Sequence, residues 1–142
     1  MIQRAVCILV LALTAAAASA QEAGFKLVVN AANEVGSLSK EQVARYFLKK
    51  TTKWPSGQAA APVDQVEGAP ARQSLSRAIL NRDVRAVKSF WEMQIFSGRG
   101  VPPPEVASDG EVLAFVRTEA GAIGYVSAET PVVGVKVLRV TE

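Results

Sequence analysis

The chain has 142 residues and a formal net charge of +3. That length allows one domain of ordinary size, and a content of 49% hydrophobic and 20% charged residues excludes a disordered or collagen-like chain. Histidine is absent and Cys7 is the only cysteine. Catalysis by histidine and metal sites built on histidine or cysteine are therefore not expected, and neither is a cofactor. The small, scattered excess of positive charge does not indicate nucleic-acid binding.

The first 20 residues have the pattern of a signal peptide. Arg4 supplies the positive start, residues 5–18 are apolar, and residues 18–20 read Ala-Ser-Ala, which fits cleavage before Gln21. The apolar stretch is too short and too rich in alanine to favour a permanent membrane span. We therefore expect residues 21–142 to form an exported domain, located in the periplasm if the source is a Gram-negative bacterium.

In the first half of the chain, hydrophobic periodicity predicts a strand, a helix and a second strand. The first strand covers residues 25–29, and the second covers residues 61–66 with Pro62 near its start or on a sheet edge. Ser39 begins the helix, with Gln42 as its capping-box partner. The helix residues expected to face the core are Val43, Ala44, Phe47 and Leu48.

The second half predicts three helices, an irregular loop and two strands. Pro70 opens the first helix, Asp83 caps the second, and Ser108 with Glu111 forms the capping box of the third. Residues 97–104 are rich in glycine and proline and form the loop. The core-facing residues of the three helices are Leu75, Ala78 and Ile79; Val84, Val87, Phe90, Trp91 and Ile95; and Val112, Leu113 and Val116. The strands are residues 122–127 and a final one in which Val133, Val135 and Val137 alternate with other residues.

The resulting order is β-α-β-α-α-α-β-β, which indicates an α/β sheet covered by helices. Several motifs occur along it in one order: Ser39 with Gln42 and Phe47, Trp54-Pro55-Ser56-Gly57, Arg72 with Leu75, Trp91 with Phe96-Ser97-Gly98, and Gly121 to Val126. Over roughly residues 25–140 this series resembles the phosphate-binding-protein-like family. That family comprises the periplasmic substrate-binding proteins of phosphate ABC transporters and their short relatives.

The resemblance implies a type II periplasmic-binding-protein-like fold with a mixed sheet flanked by helices. Family members normally close two α/β lobes over an anion, which backbone amides, hydroxyl groups and an arginine hold. Residues 21–142 resemble essentially one lobe. The implied function is an exported, non-catalytic solute-binding-like domain, with phosphate or another oxyanion as its ligand.

The loop that resembles the family's anion-binding loop lacks most of its donors. Where the family typically reads like Arg-x-x-Ser-Gly-Thr, this chain has Glu67-Gly68-Ala69-Pro70-Ala71-Arg72. Ala69 and Ala71 carry no hydroxyl group, and Pro70 has no N–H to donate. Only Gly68, the remaining amides and Arg72 favour an anion at the helix start. We therefore expect weak or altered anion binding. The alternative interpretation is an ordinary helix start with a solvated Arg72.

A second candidate site consists of Ser97, Gly98 and Arg99. A hydroxyl group, amides and a guanidinium on a flexible loop can meet an anion or a partner, and a plain surface connection is the alternative. Two other functions remain open at this point. One is an interaction or signalling module that kept the fold, lost the ligand and binds an envelope protein or a second copy of itself. The other is a hydrolase, although no serine has a histidine partner.

Overall fold

A five-stranded mixed sheet forms the centre of the chain in a computed structural model that describes residues 24–142. The predicted signal peptide lies outside the described residues. In chain order the elements are β1 (Phe25–Asn30), β2 (Ser37–Ser39), α1 (Lys40–Phe47), β3 (Ala61–Pro62), β4 (Asp64–Gln65), α2 (Pro70–Ala78), α3 (Val84–Phe96), β5 (Glu105–Val106), α4 (Asp109–Thr118), β6 (Ala122–Ser127) and β7 (Val135–Thr141).

The strands of the main sheet lie in the order β2-β7-β1-β6-β3. The central strand β1 pairs antiparallel with both β6 and β7, so that Leu27 faces Tyr125 on one side and Leu138 on the other. The edge strands β2 and β3 are short and run parallel to their neighbours. A separate two-stranded sheet pairs β4 with β5 in parallel. This small sheet positions the candidate site described below.

Helices cover both faces of the main sheet. On one face, residues of α1, α2 and α3 pack against Leu27 and Val29 of β1. On the other face, α4 packs against Val28 of the same strand. Because side chains alternate along a strand, burial of three successive residues requires cover on both sides. The predicted fold class, a mixed sheet flanked by helices, is therefore confirmed.

The capping residues explain where the helices begin. Ser39 and Gln42 form the predicted capping box of α1, and the Asp83 side chain accepts a hydrogen bond from the amide of Ala86 at the start of α3. Ser108 caps α4 as predicted. The predicted capping box also requires the Glu111 carboxylate to accept from the amide of Ser108. That part of the prediction is wrong, because the carboxylate accepts instead from the amide of Ala107, at 2.6 Å.

The predicted strand over residues 61–66 is two strands in two sheets. The amide of Val63 donates to the carbonyl of Ile123 on β6, whereas the next amide, of Asp64, donates to the carbonyl of Pro104 beside β5. The chain therefore changes partner within one residue. Pro62 lies on the edge strand β3, where its missing N–H costs no ladder hydrogen bond.

The prediction that Ile95 faces the core is wrong, because Ile95 is exposed in the last turn of α3. The final strand β7 begins at Val135, so Val133 lies before it; Val133 and Val137 are exposed, and Leu138 is buried. The helix α4 packs mainly over β6 and β1, so it leaves Val137 uncovered. No helix among residues 24–142 is long and apolar enough to cross a membrane.

The predicted turn at residues 54–57 fixes one edge of the sheet. Trp54 is buried, its ring is stacked on Tyr46 at 4.4 Å, and its Nε1 donates a hydrogen bond of 2.8 Å to the carbonyl of Gly121. A side chain at Gly121 has no room, since its Cβ would lie 1.9 Å from the carbonyl oxygen of Ala59.

We expect Gly121→Ala to lower the free energy of unfolding by at least about 2 kcal/mol, because backbone must move to admit the new methyl group. Gly36→Ala is the matched control, since a Cβ there meets nothing within 4 Å. Urea denaturation followed by circular dichroism measures both variants. Equal midpoints for the two would contradict the close approach of Gly121 to Ala59.

Candidate functional site

Arg72 is the centre of a buried polar network between α2 and the small sheet. Its side chain is only 4% exposed. The Nη1 atom donates a hydrogen bond of 2.7 Å to the backbone carbonyl of Gln65 and lies 3.2 Å from carboxylate oxygens of both Asp64 and Glu105. One cation thus faces two acidic side chains and a carbonyl. The alternative interpretation, in which Arg72 is solvated, is therefore wrong on this point.

The local sequence explains the position of Arg72. Pro70 occupies the first turn of α2, and Ala69 precedes it without a side-chain capping bond. Arg72, Leu75 and Ser76 form the buried side of this helix, because residues three and four apart share a helix face. The inner face of α2 therefore carries the guanidinium toward β4 and β5.

Asp64 receives several hydrogen bonds in addition to its ion pair. The hydroxyl of Tyr125 donates a hydrogen bond to Asp64, and the amide of Gln65 donates another of 3.0 Å. Burial nevertheless raises the pKa of Asp64 and outweighs the opposing attraction of Arg72. Burial also raises the pKa of Tyr125, and the adjacent carboxylate raises it further. Tyr125 is thus held as a hydrogen-bond donor.

Asp109 joins this network to the main sheet. Its carboxylate accepts from the side-chain amide of Gln65 at 2.9 Å, from the hydroxyl of Thr130 at 2.6 Å and from the amide of Ser127 at 3.1 Å. Partial burial acts to raise the pKa of Asp109, but these hydrogen bonds outweigh it, so the pKa is lowered. The carboxylate therefore holds the start of α4 against the end of β6.

Glu105 is the member of the ion cluster that reaches water. Its side chain is 43% exposed, against 8% for Asp64. It comes from the two-residue strand β5, directly opposite Asp64 in the register of the small sheet. Two buried polar atoms of α2 lack a hydrogen-bond partner, namely Nε of Arg72 and Oγ of Ser76. The Nε–H of the guanidinium is therefore a buried donor without an acceptor.

The first candidate group lies together at the start of α2. Gly68 is exposed, Ala69 is half-buried, and Ala71 and Arg72 are buried. Nothing in this stretch supplies a hydroxyl group, as the sequence indicated.

The second group, Ser97, Gly98 and Arg99, is exposed at the end of α3. The Ser97 hydroxyl donates to the carbonyl of Met93 at 2.8 Å, and the amide of Arg99 donates to the carbonyl of Gln94 at 2.9 Å. These hydrogen bonds close the last turn of the helix.

Sequence reasoning missed most partners of Arg72. Tyr125 belongs to the Gly121 to Val126 motif, but its role as donor to Asp64 depends on the pairing of distant segments. Glu105 follows a run of three prolines and carries no local signal.

Residues 24–142 contain no cluster of three or more acidic, cysteine or histidine side chains suited to a metal ion.

Solved structures share this arrangement of strands and helices. An ABC-type phosphate transport receptor from Vibrio cholerae matches with a TM-score of 0.65 and 21% identity, covering 82% of this chain and 46% of its own. A putative phosphate ABC transporter substrate-binding protein with bound phosphate from Clostridium perfringens matches with a TM-score of 0.66 and 18% identity. This match covers 82% of the present chain and 44% of the Clostridium protein. This chain has the periplasmic-binding-protein fold, as a single lobe.

PstS from Borrelia burgdorferi gives a similar match, with a TM-score of 0.62 and 12% identity over 84% of this chain and 47% of PstS. The lobe thus spans less than half the length of these three proteins. No family model and no curated protein sequence matches the chain. The resemblance predicted from the sequence motifs is confirmed at the level of the fold.

We expect the lobe to lose stability in acid partly through Asp109. Its folded-state pKa lies below its unfolded value, so its contribution is complete above the unfolded pKa of about 4 and disappears as the pH falls through the folded pKa. Asp109→Asn should lower stability by about 1–3 kcal/mol at pH 7 and by much less at pH 3.

Urea denaturation at both pH values tests this expectation. Asp83→Asn is the control, because asparagine caps a helix as well as aspartate does. A loss of equal size at pH 7 and pH 3 for Asp109→Asn would show that the ionised carboxylate is not what stabilises the junction.

Proposed function

We propose that this chain is an exported, non-catalytic solute-binding-like domain whose anion binding is weak or altered. Its fold is that of proteins described as phosphate receptors and substrate-binding proteins. The signal-peptide pattern of residues 1–20 supports export, with the periplasm as destination in a Gram-negative bacterium. The observation that carries the proposal is that the Arg72 guanidinium already contacts two carboxylates and a backbone carbonyl of its own chain.

A guanidinium can attract a free anion only with charge that its own neighbours leave uncompensated. Around Arg72, two acidic side chains and the Gln65 carbonyl already contact Nη1. An incoming oxyanion must compete with Glu105 and approach Asp64, and like charges at such distances repel strongly in a low-dielectric site. Arg72 is therefore poorly suited to tight anion binding as it stands.

The rest of the loop offers little compensation. The first-turn amides of α2 have the orientation that favours anions, but Pro70 contributes no N–H and the cap residue Ala69 no hydroxyl. Glu67 is exposed just before the helix and is paired with the Lys88 ammonium at 3.5 Å, so this pair offers no net positive charge to an anion. A partly desolvated oxyanion needs several charge-assisted hydrogen bonds, and this end of the lobe supplies few.

We expect a chain that begins at Gln21 to bind phosphate and sulfate with dissociation constants of about 1 mM or weaker. Isothermal titration calorimetry measures the affinity, with a thermal-shift assay beside it. Arg72→Gln should abolish the binding, and Arg85→Gln, an exposed arginine on α3, should leave it unchanged. Nanomolar retention would contradict the weak site, and the absence of any signal at about 50 mM anion would contradict solute binding itself.

A second candidate function is an interaction module that associates with a second copy of itself. The end of α3 and the following loop expose four large apolar residues, namely Met93, Ile95, Phe96 and Val101. Phe96 is 96% exposed. The largest apolar patch of a typical monomer covers roughly 300–600 Å² and is often functional. These four residues would suit the apolar centre of a dimer interface, which buries about 800 Å² per partner.

If this patch joins two copies, size-exclusion chromatography with light scattering at about 100 µM should give the mass of a dimer. Phe96→Ser should return it to the mass of one chain. Val133→Ser is the control, since Val133 is 72% exposed in the connection between β6 and β7. A monomeric unsubstituted chain at that concentration would rule out self-association through this patch.

A further inference from the structure

We propose that Glu105 is an internal counter-anion that keeps Arg72 closed to solvent, and that an oxyanion reaches the guanidinium only when the Glu105 side chain swings away. The inference concerns the regulation of the proposed anion site and therefore rests on the proposed function. It starts from the unequal environment of the two carboxylates that share Nη1 of Arg72.

The two carboxylates have different freedom to leave. Asp64 is 8% exposed and is held by Tyr125 and the amide of Gln65, so it is a fixed partner of the guanidinium. Glu105 is 43% exposed, and its one contact in the cluster is with Nη1 of Arg72, at 3.2 Å. When the Arg72–Glu105 contact breaks, the exposed Glu105 carboxylate regains water, whereas release of Asp64 would leave a buried carboxylate without water. Glu105 is therefore the carboxylate that leaves at the lower cost.

The charges in the cluster also favour release of the Glu105 carboxylate from Arg72. With both acids ionised, the cluster carries one positive and two negative charges. Departure of Glu105 leaves Arg72 with one buried partner, and burial already raises the pKa of Asp64 in the present cluster. An anion that replaces Glu105 meets the Nη1 donor that Glu105 has left free.

The position of Glu105 makes it a cover as well as a competitor. It lies on β5, opposite Asp64, and its side chain spans from the buried guanidinium to solvent. A rotation of this one side chain suffices, and the backbone hydrogen bonds of the small sheet stay in place. A tethered carboxylate has a high effective concentration, which reduces the apparent affinity of a free anion.

Two variants of Glu105 test the inference. Glu105→Gln removes the charge and keeps the shape, and Glu105→Ala also opens the space. Both should bind phosphate or sulfate at least about tenfold more tightly than the unsubstituted chain in calorimetric titration. Glu92→Gln, an exposed glutamate on α3, changes the net charge equally and should leave the affinity within about twofold. Circular dichroism confirms that each variant is folded.

A second measurement does not depend on anion binding. Phenylglyoxal modifies accessible arginines, and peptide mass spectrometry measures the rate at Arg72 against that at exposed Arg85. The ratio should rise at least about fivefold in Glu105→Ala and stay unchanged in Glu92→Gln.

The two measurements separate the inference from the proposed function. Faster labelling of Arg72 without anion binding in any variant would contradict the proposed function and support the cover. Unchanged labelling in Glu105→Ala would overturn the inference, and so would measurable anion binding that is equally strong in Glu105→Gln and Glu92→Gln.

Discussion

A buried guanidinium requires compensating negative charge and acceptors, and Arg72 meets this requirement with atoms from two separate segments. Asp64 and the Gln65 carbonyl come from β4, and Glu105 comes from β5. Removing one partner of a buried ion pair is costly, because the remaining charge has no water to turn to. The position of the small sheet relative to α2 is therefore tied to this one side chain. The network extends through Gln65 and Asp109 to the end of β6.

The same compensation sets the chemistry of the site. A binding loop grips an anion when its donors face an empty space and have no partner of their own. Here the donor with the greatest attraction for an anion has partners within the chain. The lobe can thus keep the architecture of a solute-binding protein while the electrostatics of its loop differ from what that architecture suggests. Fold and site vary independently, as expected when function resides in a few side chains.

Local sequence signals predicted the elements well and the network poorly. Caps at Ser39, Asp83 and Ser108 and the helical spacing of apolar residues placed all four helices found in residues 24–142. The strand over residues 61–66 is correct in its position and wrong as a single strand, because the change of sheet at Val63 depends on segments about 40 and 60 residues away along the chain. The loop at residues 67–72 was identified, but its defining contact comes from Glu105, which no motif marks.

The single residue between β3 and β4 has one more consequence. Val63 is buried and hydrogen-bonded to β6, and the very next residue carries the carboxylate that faces Arg72. Because only one residue separates the two strands, the Asp64 carboxylate cannot shift far unless the hydrogen bond between Val63 and β6 also changes. The position of the Asp64 carboxylate is therefore set by the main sheet. Any change in the surroundings of the Arg72 guanidinium has to come from Glu105, the other carboxylate that contacts it.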